Sequence, residues 1–486
     1  MTYPADFLTW PTEKKNIYFA TGAKAWREKK AAAALLKITT TEKDNRSAEY
    51  SDDALATMFS DKHAAHLRYV AKWGKWLSWD GKKWSLDDTL KIYDHARIVC
   101  RDAAKACPDA RSKKTIASAK TISAVEILSR SDRRIAATVE QWDSDPFLLN
   151  TPGGIVDLKT GEMRPATPED YCRKITSVMP NKMDEALKFA DFLHDIFGGD
   201  KELIAFIRRV LGYGLTGSTK EHALFFGFGT GRNGKSVLLK TVADILGDYH
   251  CTAPIETFTA TKIDRHPTEL ADLQGARLVT SCETEEGRSW AESRIKLLTG
   301  GDTIKARYMR QDLFQFTPEF KLFVVGNNKP KLRQVDQAMR RRMNLIPFDV
   351  TIPLERIDKD LVDKLMCEGG SILSWLIAGA LEWQEIGLSA PEAVRQATDD
   401  YLEAEDTFGG WLEECCEPDM RAHETKASLF ASWCGYAEQQ HEAPGNMKTF
   451  TDALGKRAIR LEDKKLKGNR GFFGLRLLDS AFSRSP

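Results

Sequence analysis

The run Ala223 to Ser236, ALFFGFGTGRNGKS, constrains this chain more than any other stretch. Ala223 to Phe228 is continuously apolar and rich in Phe, the pattern of a strand buried on both faces. It ends in Gly229-Thr230-Gly231-Arg232-Asn233-Gly234-Lys235-Ser236, which satisfies the spacing G-x-x-x-x-G-K-[ST]. From Val237 the apolar residues return at helical spacing, at Leu238 and Ile245. Strand, glycine loop and helix therefore follow one another in the order that a phosphate cradle needs. Glycines let backbone N–H groups approach phosphate oxygens, and the helix that follows presents a positive N-terminus. The lysine then reaches the β- and γ-phosphates, and the serine hydroxyl ligates magnesium. Gly229 to Val237 are expected to bind ATP with Mg²⁺, Lys235 neutralising phosphate charge and Ser236 serving as a metal ligand.

Composition narrows what surrounds that site. At 486 residues the chain exceeds what one core usually serves. Its formal net charge is +1, so any nucleic-acid surface must be a local patch. Nine cysteines without a CxxC pair point to reduced thiols and no zinc site. The first ten residues lack a basic and apolar leader, and no apolar run approaches ~20 residues. The expectation is a soluble cytoplasmic protein without membrane contact.

The expected architecture is α/β, a P-loop core with satellite domains. Residues 1–48 hold a helix-prone segment, Ala23 to Ile38, with no assignable chemistry. Residues 49–183 read as a small α+β domain. It has helices over Asp87 to Ala106 and Thr115 to Ser129, a turn at Asp80-Gly81 and a second at Thr160-Gly161. Its tryptophans suit either a core or a stacking surface for single-stranded nucleic acid. Residues 184–219 carry apolar stripes at helical spacing and are expected to pack beneath the core as a collar.

Residues 220–400 form the expected core. Arg277 to Cys282 is a second buried strand, ending at Glu283 and Glu285, where carboxylates can hold the magnesium shell and polarise a water. Thr303 to Phe316 reads as a hairpin carrying Lys305, Arg307, Tyr308 and Arg310. Lys321 to Gly326 is a third strand that delivers Asn327 and Asn328, amides able to orient water or sense a phosphate. Arg340, Arg341 and Arg342 precede a fourth strand, Asn344 to Val350. They suit either a neighbour's γ-phosphate or a solvated basic patch. Residues 401–486 read as three helices closed by a basic hairpin, a winged-helix pattern. Lys464, Lys465, Lys467 and Arg470 are its candidate DNA contacts.

GFGTGRNGKS, RLVTSCETEEGRSWAESRIKLLTGGDTIKAR, FKLFVVGNNKP and DQAMRRRMNLIPF, in that order, resemble the superfamily 3 helicases. The nearest resemblance is to the phage- and plasmid-borne primase-helicase branch with its poxvirus-type NTPases. WDSDPFLLNTPGGIVDLKTGEMRP resembles the domain that precedes the helicase there. The resemblance implies an AAA+ ring, a homo-hexamer that threads single-stranded DNA at a fork and moves 3′ to 5′. Carried over, Lys235 and Ser236 match the P-loop pair, Glu283 and Glu285 the acidic motif, and Asn327 the polar third motif. Arg341 and Arg342 match the arginine pair before Pro347-Phe348, and the Thr303–Phe316 hairpin matches the channel hairpin. Two positions depart: Asn328 stands where that branch often has His, and Arg340 where it often has an aromatic residue. Fewer than 50 residues precede the helicase-associated domain, so a separate primase is expected. The alternative expectation is a DNA-binding ATPase that loads or remodels replication proteins without unwinding.

Overall fold

A computed structural model describes residues 49–260, 268–282, 288–309, 312–332, 335–440, 444–455, 457, 461–466 and 469–478. Residues 1–48, Glu283, Glu285, Arg310 and Lys467 lie outside the described residues. The chain divides into two compact units. Among the described residues, one holds 49–80 with Ser85–Gln141, the other Gly81–Trp84 with those from Trp142 onward.

The smaller unit opens with helix α1 (Asp52–His63), capped by Ser51, whose hydroxyl accepts from Ala54 N at 3.1 Å. Strands β1 (Leu67–Val70) and β2 (Lys75–Trp79) form an antiparallel hairpin, and β3 (Ala136–Ala137) joins β1 in parallel. Helices α2 (Lys91–Ala106), α3 (Ala110–Ile116) and α4 (Ala119–Ser129) follow. The single helix expected from Thr115 is two, because the Ser118 side chain accepts from Thr121 N and starts a new helix. Leu55, Phe59, Leu67, Trp76, Val99 and Val125 share one core, so Trp76 is a core residue and not a stacking platform.

The larger unit begins with a meander, β4 (Leu148–Thr151), β5 (Gly154–Asp157) and β6 (Met163–Arg164). It turns at Thr160-Gly161 as the sequence predicts, with Gly161 at φ +79. Leu149, Val156 and Leu158 enter the same core as Phe189, Phe206 and Leu238. The compact division therefore falls near Gln141 and not at residue 183, because the meander buries its apolar face with the following helices. Those helices are α5 (Leu187–Ile196) and α6 (Lys201–Leu215), separated by Gly198 and Gly199, both in the left-handed region.

Five strands build the central sheet: β7 (Leu224–Phe228), β8 (His250–Thr252), β9 (Leu278–Cys282), β12 (Lys321–Gly326) and β13 (Met343–Pro347). Between β9 and β12 lie helix α8 (Glu292–Thr299) and the hairpin strands β10 (Ile304–Ala306) and β11 (Phe314–Phe316). Their spatial order is β13-β7-β12-β9-β8, and every pairing is parallel. Residues alternate between two cores: Phe225, Phe323 and Ile346 face one, Leu224, Phe226, Leu322 and Leu345 the other. Burial on both faces is why these strands read as continuous apolar runs. Helix α7 (Lys235–Leu246) follows β7 directly. The three-residue edge strand β8 gave no such run and was not foreseen.

Two buried cations fasten the lower end of this sheet. Arg277 donates to Leu215 O at 2.8 Å and Leu148 O at 2.7 Å. Lys321 donates to Thr216 O, Ser218 O and Glu319 O, while burial and the neighbouring Arg277 hold its amino group well below the usual lysine range. Helix α6 packs on α9 (Gly369–Ile386), where a Cβ at Gly212 would meet Ala380 N and one at Gly379 would meet Arg208 O. Glu382 of α9 closes the pair through Arg208 and Arg209 at 2.5 and 2.6 Å.

After α10 (Glu392–Ala404) the chain forms α11 (Thr407–Cys415), β14 (Cys416–Thr425), α12 (Lys426–Gln439), α13 (Met447–Gly455), β15 (Glu462–Leu466) and β16 (Asn469–Leu477). The sheet order is β14-β16-β15, and Trp411, Leu429, Trp433, Phe450 and Leu475 fill its core. Strand β14 lies between the first and second of these helices, and the winged-helix pattern of the sequence does not include it, because Cys416 to Thr425 lacks an apolar alternation.

Candidate functional site

The glycine loop lies at the carboxyl end of β7, the edge of a parallel sheet where ligands sit. Gly231 and Gly234 take φ +97 and +79, and Arg232 also enters the left-handed region at φ +52. A Cβ at Gly234 would meet Ile196 Cγ2 and Phe192 of α5, so the collar helix packs straight onto the loop. Asn233 is buried and donates to Phe348 O at 3.0 Å, while Ile352 N donates to Arg232 O at 2.7 Å. The segment after β13 thus seats the loop, a role that sequence reading did not assign to Phe348 and Ile352. Helix α7 starts at Lys235 with no side-chain cap, which leaves the N–H groups of its first turn without an intrahelical acceptor.

Lys235 is buried, and its Nζ donates to Gly229 O at 2.8 Å and to Asn327 Oδ1 at 3.4 Å. Burial holds its pKa below the usual lysine range. The lysine and amide come from separate motifs and were expected to share a site. They meet because β12 pairs with β7 in parallel, with Gly326 in register with Phe228, so both strands end at one level. Asn327 is exposed at the end of β12, and Ser236 is exposed at the start of α7. Cys282, the last residue of β9, is in register with Val325 and so ends on the same edge. Sequence reading passed over Lys329. Its Nζ lies 4.0 Å from the Phe228 ring centre, and burial lowers its pKa. The only sequence signal was a third polar residue after Asn327-Asn328.

The three arginines differ in their surroundings. Arg342 is half-buried; its Nε donates to Thr299 Oγ1 at 3.0 Å and its Nη1 to Ala338 O at 2.8 Å. Arg340 is exposed and adds to the field that lowers the Asp406 pKa, behind the Arg457 ion pair that holds it. Arg341 is exposed; its backbone N–H donates to Gln337 O at 3.2 Å, and its side chain makes no hydrogen bond or ion pair among the described residues. All three precede β13 at the edge opposite the glycine loop, with Arg342 O accepting from Leu224 N at 2.7 Å. Five strand residues, about 16 Å, separate the two edges.

On the β10–β11 hairpin Lys305 is exposed, because Ile304 and Ala306 on either side of it are buried. Arg307 and Tyr308 are half-buried. The Tyr308 ring stacks on Phe314 at 5.3 Å and its hydroxyl donates to Ala271 O at 3.1 Å, so this side chain braces the hairpin. Lys464 and Lys465 lie on β15, and Arg470 is exposed on β16 opposite Lys465.

Residues 56–198 match the family described as D5 N terminal like, and residues 228–342 match a family of unknown function, DUF5906. Among curated proteins, the chain is 27% identical over 295 residues to "Putative helicase L207/L206" of Acanthamoeba polyphaga mimivirus, covering 56% of this chain and 30% of that protein. It is 24% identical over 307 residues to "Putative helicase 022R" of Frog virus 3, covering 59% of this chain and 30% of that protein. The chain thus spans under a third of the length of these relatives. A solved structure of the NrS-1 C terminal region (305–718) aligns with a TM-score of 0.48 and 9% identity, over 88% of this chain and 100% of that one. The two family models and the viral proteins named putative helicases thus resemble this chain over about half its length. No helix among the described residues is long and apolar enough to cross a membrane.

Proposed function

We propose that this chain is an ATP-dependent DNA helicase of the superfamily 3, AAA+ type, which assembles as a ring and moves along one DNA strand. The observation that carries the reading is the Lys235 ammonium, held between Gly229 O and Asn327 Oδ1 at the carboxyl edge of a five-stranded parallel sheet. A cation there, uncapped helical N–H groups beside it and an exposed Ser236 hydroxyl suit a triphosphate with one magnesium. When bound, magnesium neutralises charge on the β- and γ-phosphates. Lys235 exchanges its carbonyl and amide contacts for phosphate oxygens, and Asn327, so released, orients the attacking water. Glu283 and Glu285, which follow β9, serve the metal shell and the water.

Arg341 is the arginine offered to a neighbouring subunit. It lies about 16 Å from its own glycine loop, and its guanidinium has no partner among the described residues, whereas that of Arg342 is tied to Thr299 and Ala338. Lys305 on the hairpin and the basic strands β15 and β16 of a winged-helix-like tail are the proposed DNA contacts.

Strand displacement on forked DNA with a 3′ or a 5′ tail, in ATP and magnesium, tests the reading. Unwinding from the 3′ tail is expected, and Lys235→Ala is expected to cut hydrolysis by about 100-fold or more. DNA-stimulated hydrolysis without displacement from either tail would instead favour a loader or remodeller. Hydrolysis undiminished in Lys235→Ala would falsify the assigned site.

A further inference from the structure

The smaller unit carries a concentration of positive charge that the proposed motor does not use. Between Lys91 and Lys120 there are eight basic residues and three acidic ones, in a chain whose net charge is +1. All three acids are engaged locally. Asp94 pairs with Arg97 at 3.0 Å, Asp102 with Lys105 at 3.4 Å and Lys62 at 3.9 Å, and Asp109 caps α3 by accepting from Ser112 N at 2.7 Å. Arg101, Arg111, Lys113, Lys114 and Lys120 are exposed and make no ion pair among the described residues.

These cations are not scattered. Arg97, Arg101 and Lys105 recur every four residues on α2, which puts them on one helical face. Arg101, Ala104 and Lys105 of α2 meet Lys113 of α3 and Ala117 around a shallow groove of about 520 Å³. Two alanines and three cationic side chains line it. Arg111 and Lys114 flank Lys113 on the same short helix.

We propose that this groove, with the adjoining turn of α3, is a binding surface for single-stranded nucleic acid, with Arg101 and Lys113 of the groove and Lys114 next to them on α3 contacting phosphates and the two alanines receiving a sugar or base. The inference extends the helicase reading, since it gives the smaller unit a hold on the strand apart from the hairpin. Successive exposed cations without acidic partners suit a repeating phosphodiester chain, which releases counterions at each contact. An acidic protein would also need apolar anchors shaped to it, and the groove's only apolar side chains are two alanines.

The test is fluorescence anisotropy of a labelled oligodeoxynucleotide on the full chain at rising salt, with Arg101→Ala/Lys113→Ala/Lys114→Ala beside the parent. The variant is expected to bind at least about fivefold more weakly at about 100 mM salt, and its log–log salt slope to fall by about 2 in magnitude. Hydrolysis without DNA is expected to stay at the parent's rate. Unchanged affinity and slope overturn the proposal, as does polyglutamate of equal charge competing as well as DNA. If the parent shows no DNA-stimulated hydrolysis, the motor reading fails by itself. If stimulation is present while the triple variant binds like the parent, only the groove assignment fails.

Discussion

His63 shows how one buried residue sets a solution property. It sits on α1 with its Nδ1 3.0 Å from His66 Nε2 and its ring 4.7 Å from that of His95. Burial first, then His95, His66 and Lys62, push its pKa down to about 4. His66 and His95 are lowered in the same direction, burial again leading; Asp94 and Asp87 only partly oppose this at His95. Below about pH 6.5 the unfolded chain therefore binds more protons than the folded one. Stability is full above that pH and is lost as pH falls toward 4. For His63 the loss is at most about 3 kcal/mol. Hydrogen exchange of the α1 amides, corrected for intrinsic rate, should show the opening free energy dropping over this window. His63→Phe, which keeps a ring against Phe59 at 4.9 Å, should flatten the drop. An equally steep fall in that variant would rule out the histidine as its source.

At the scale of elements, glycine has opposite meanings in two helices. Gly379 of α9 has no room for a Cβ, because Arg208 O of α6 occupies that position; Gly435 of α12 faces nothing within 4 Å. Gly379→Ala should force the two helices apart and cost about 2 kcal/mol or more, whereas Gly435→Ala should stabilise by about 0.5–1 kcal/mol. Urea midpoints of the two variants check this, and a loss of similar size in both would contradict the packing argument. The sequence shows both glycines inside helical patterns and gives no means of separating them. The same limit applies to the tryptophans. Trp76 and Trp84 are buried, although their alternation with lysines equally suited an exposed stacking face.

For the whole molecule, the arginines before β13 decide whether one subunit suffices. Arg342→Ala removes hydrogen bonds to Thr299 and Ala338 and should lower stability by about 1–3 kcal/mol. Arg341→Ala should leave stability within about 0.5 kcal/mol while reducing hydrolysis of the assembled protein by about 1,000-fold. Mixing Arg341→Ala with Lys235→Ala subunits should restore part of that activity, because some interfaces then pair an intact loop with an intact arginine. No recovery on mixing would count against an arginine supplied by a neighbour. The glycine loop, its strand and its helix were legible beforehand because each depends on residues adjacent in the chain: apolar runs, glycines at fixed offsets and a helical period. Tertiary structure alone decided the strand order, the meeting of Lys235 with Asn327 across 92 positions, the anchoring of Arg342 beside an open Arg341, and the gathering of Arg101, Lys105 and Lys113 around one groove. Periodicity reports whether a residue prefers burial, but which partner it meets there depends on pairings between segments far apart in the chain.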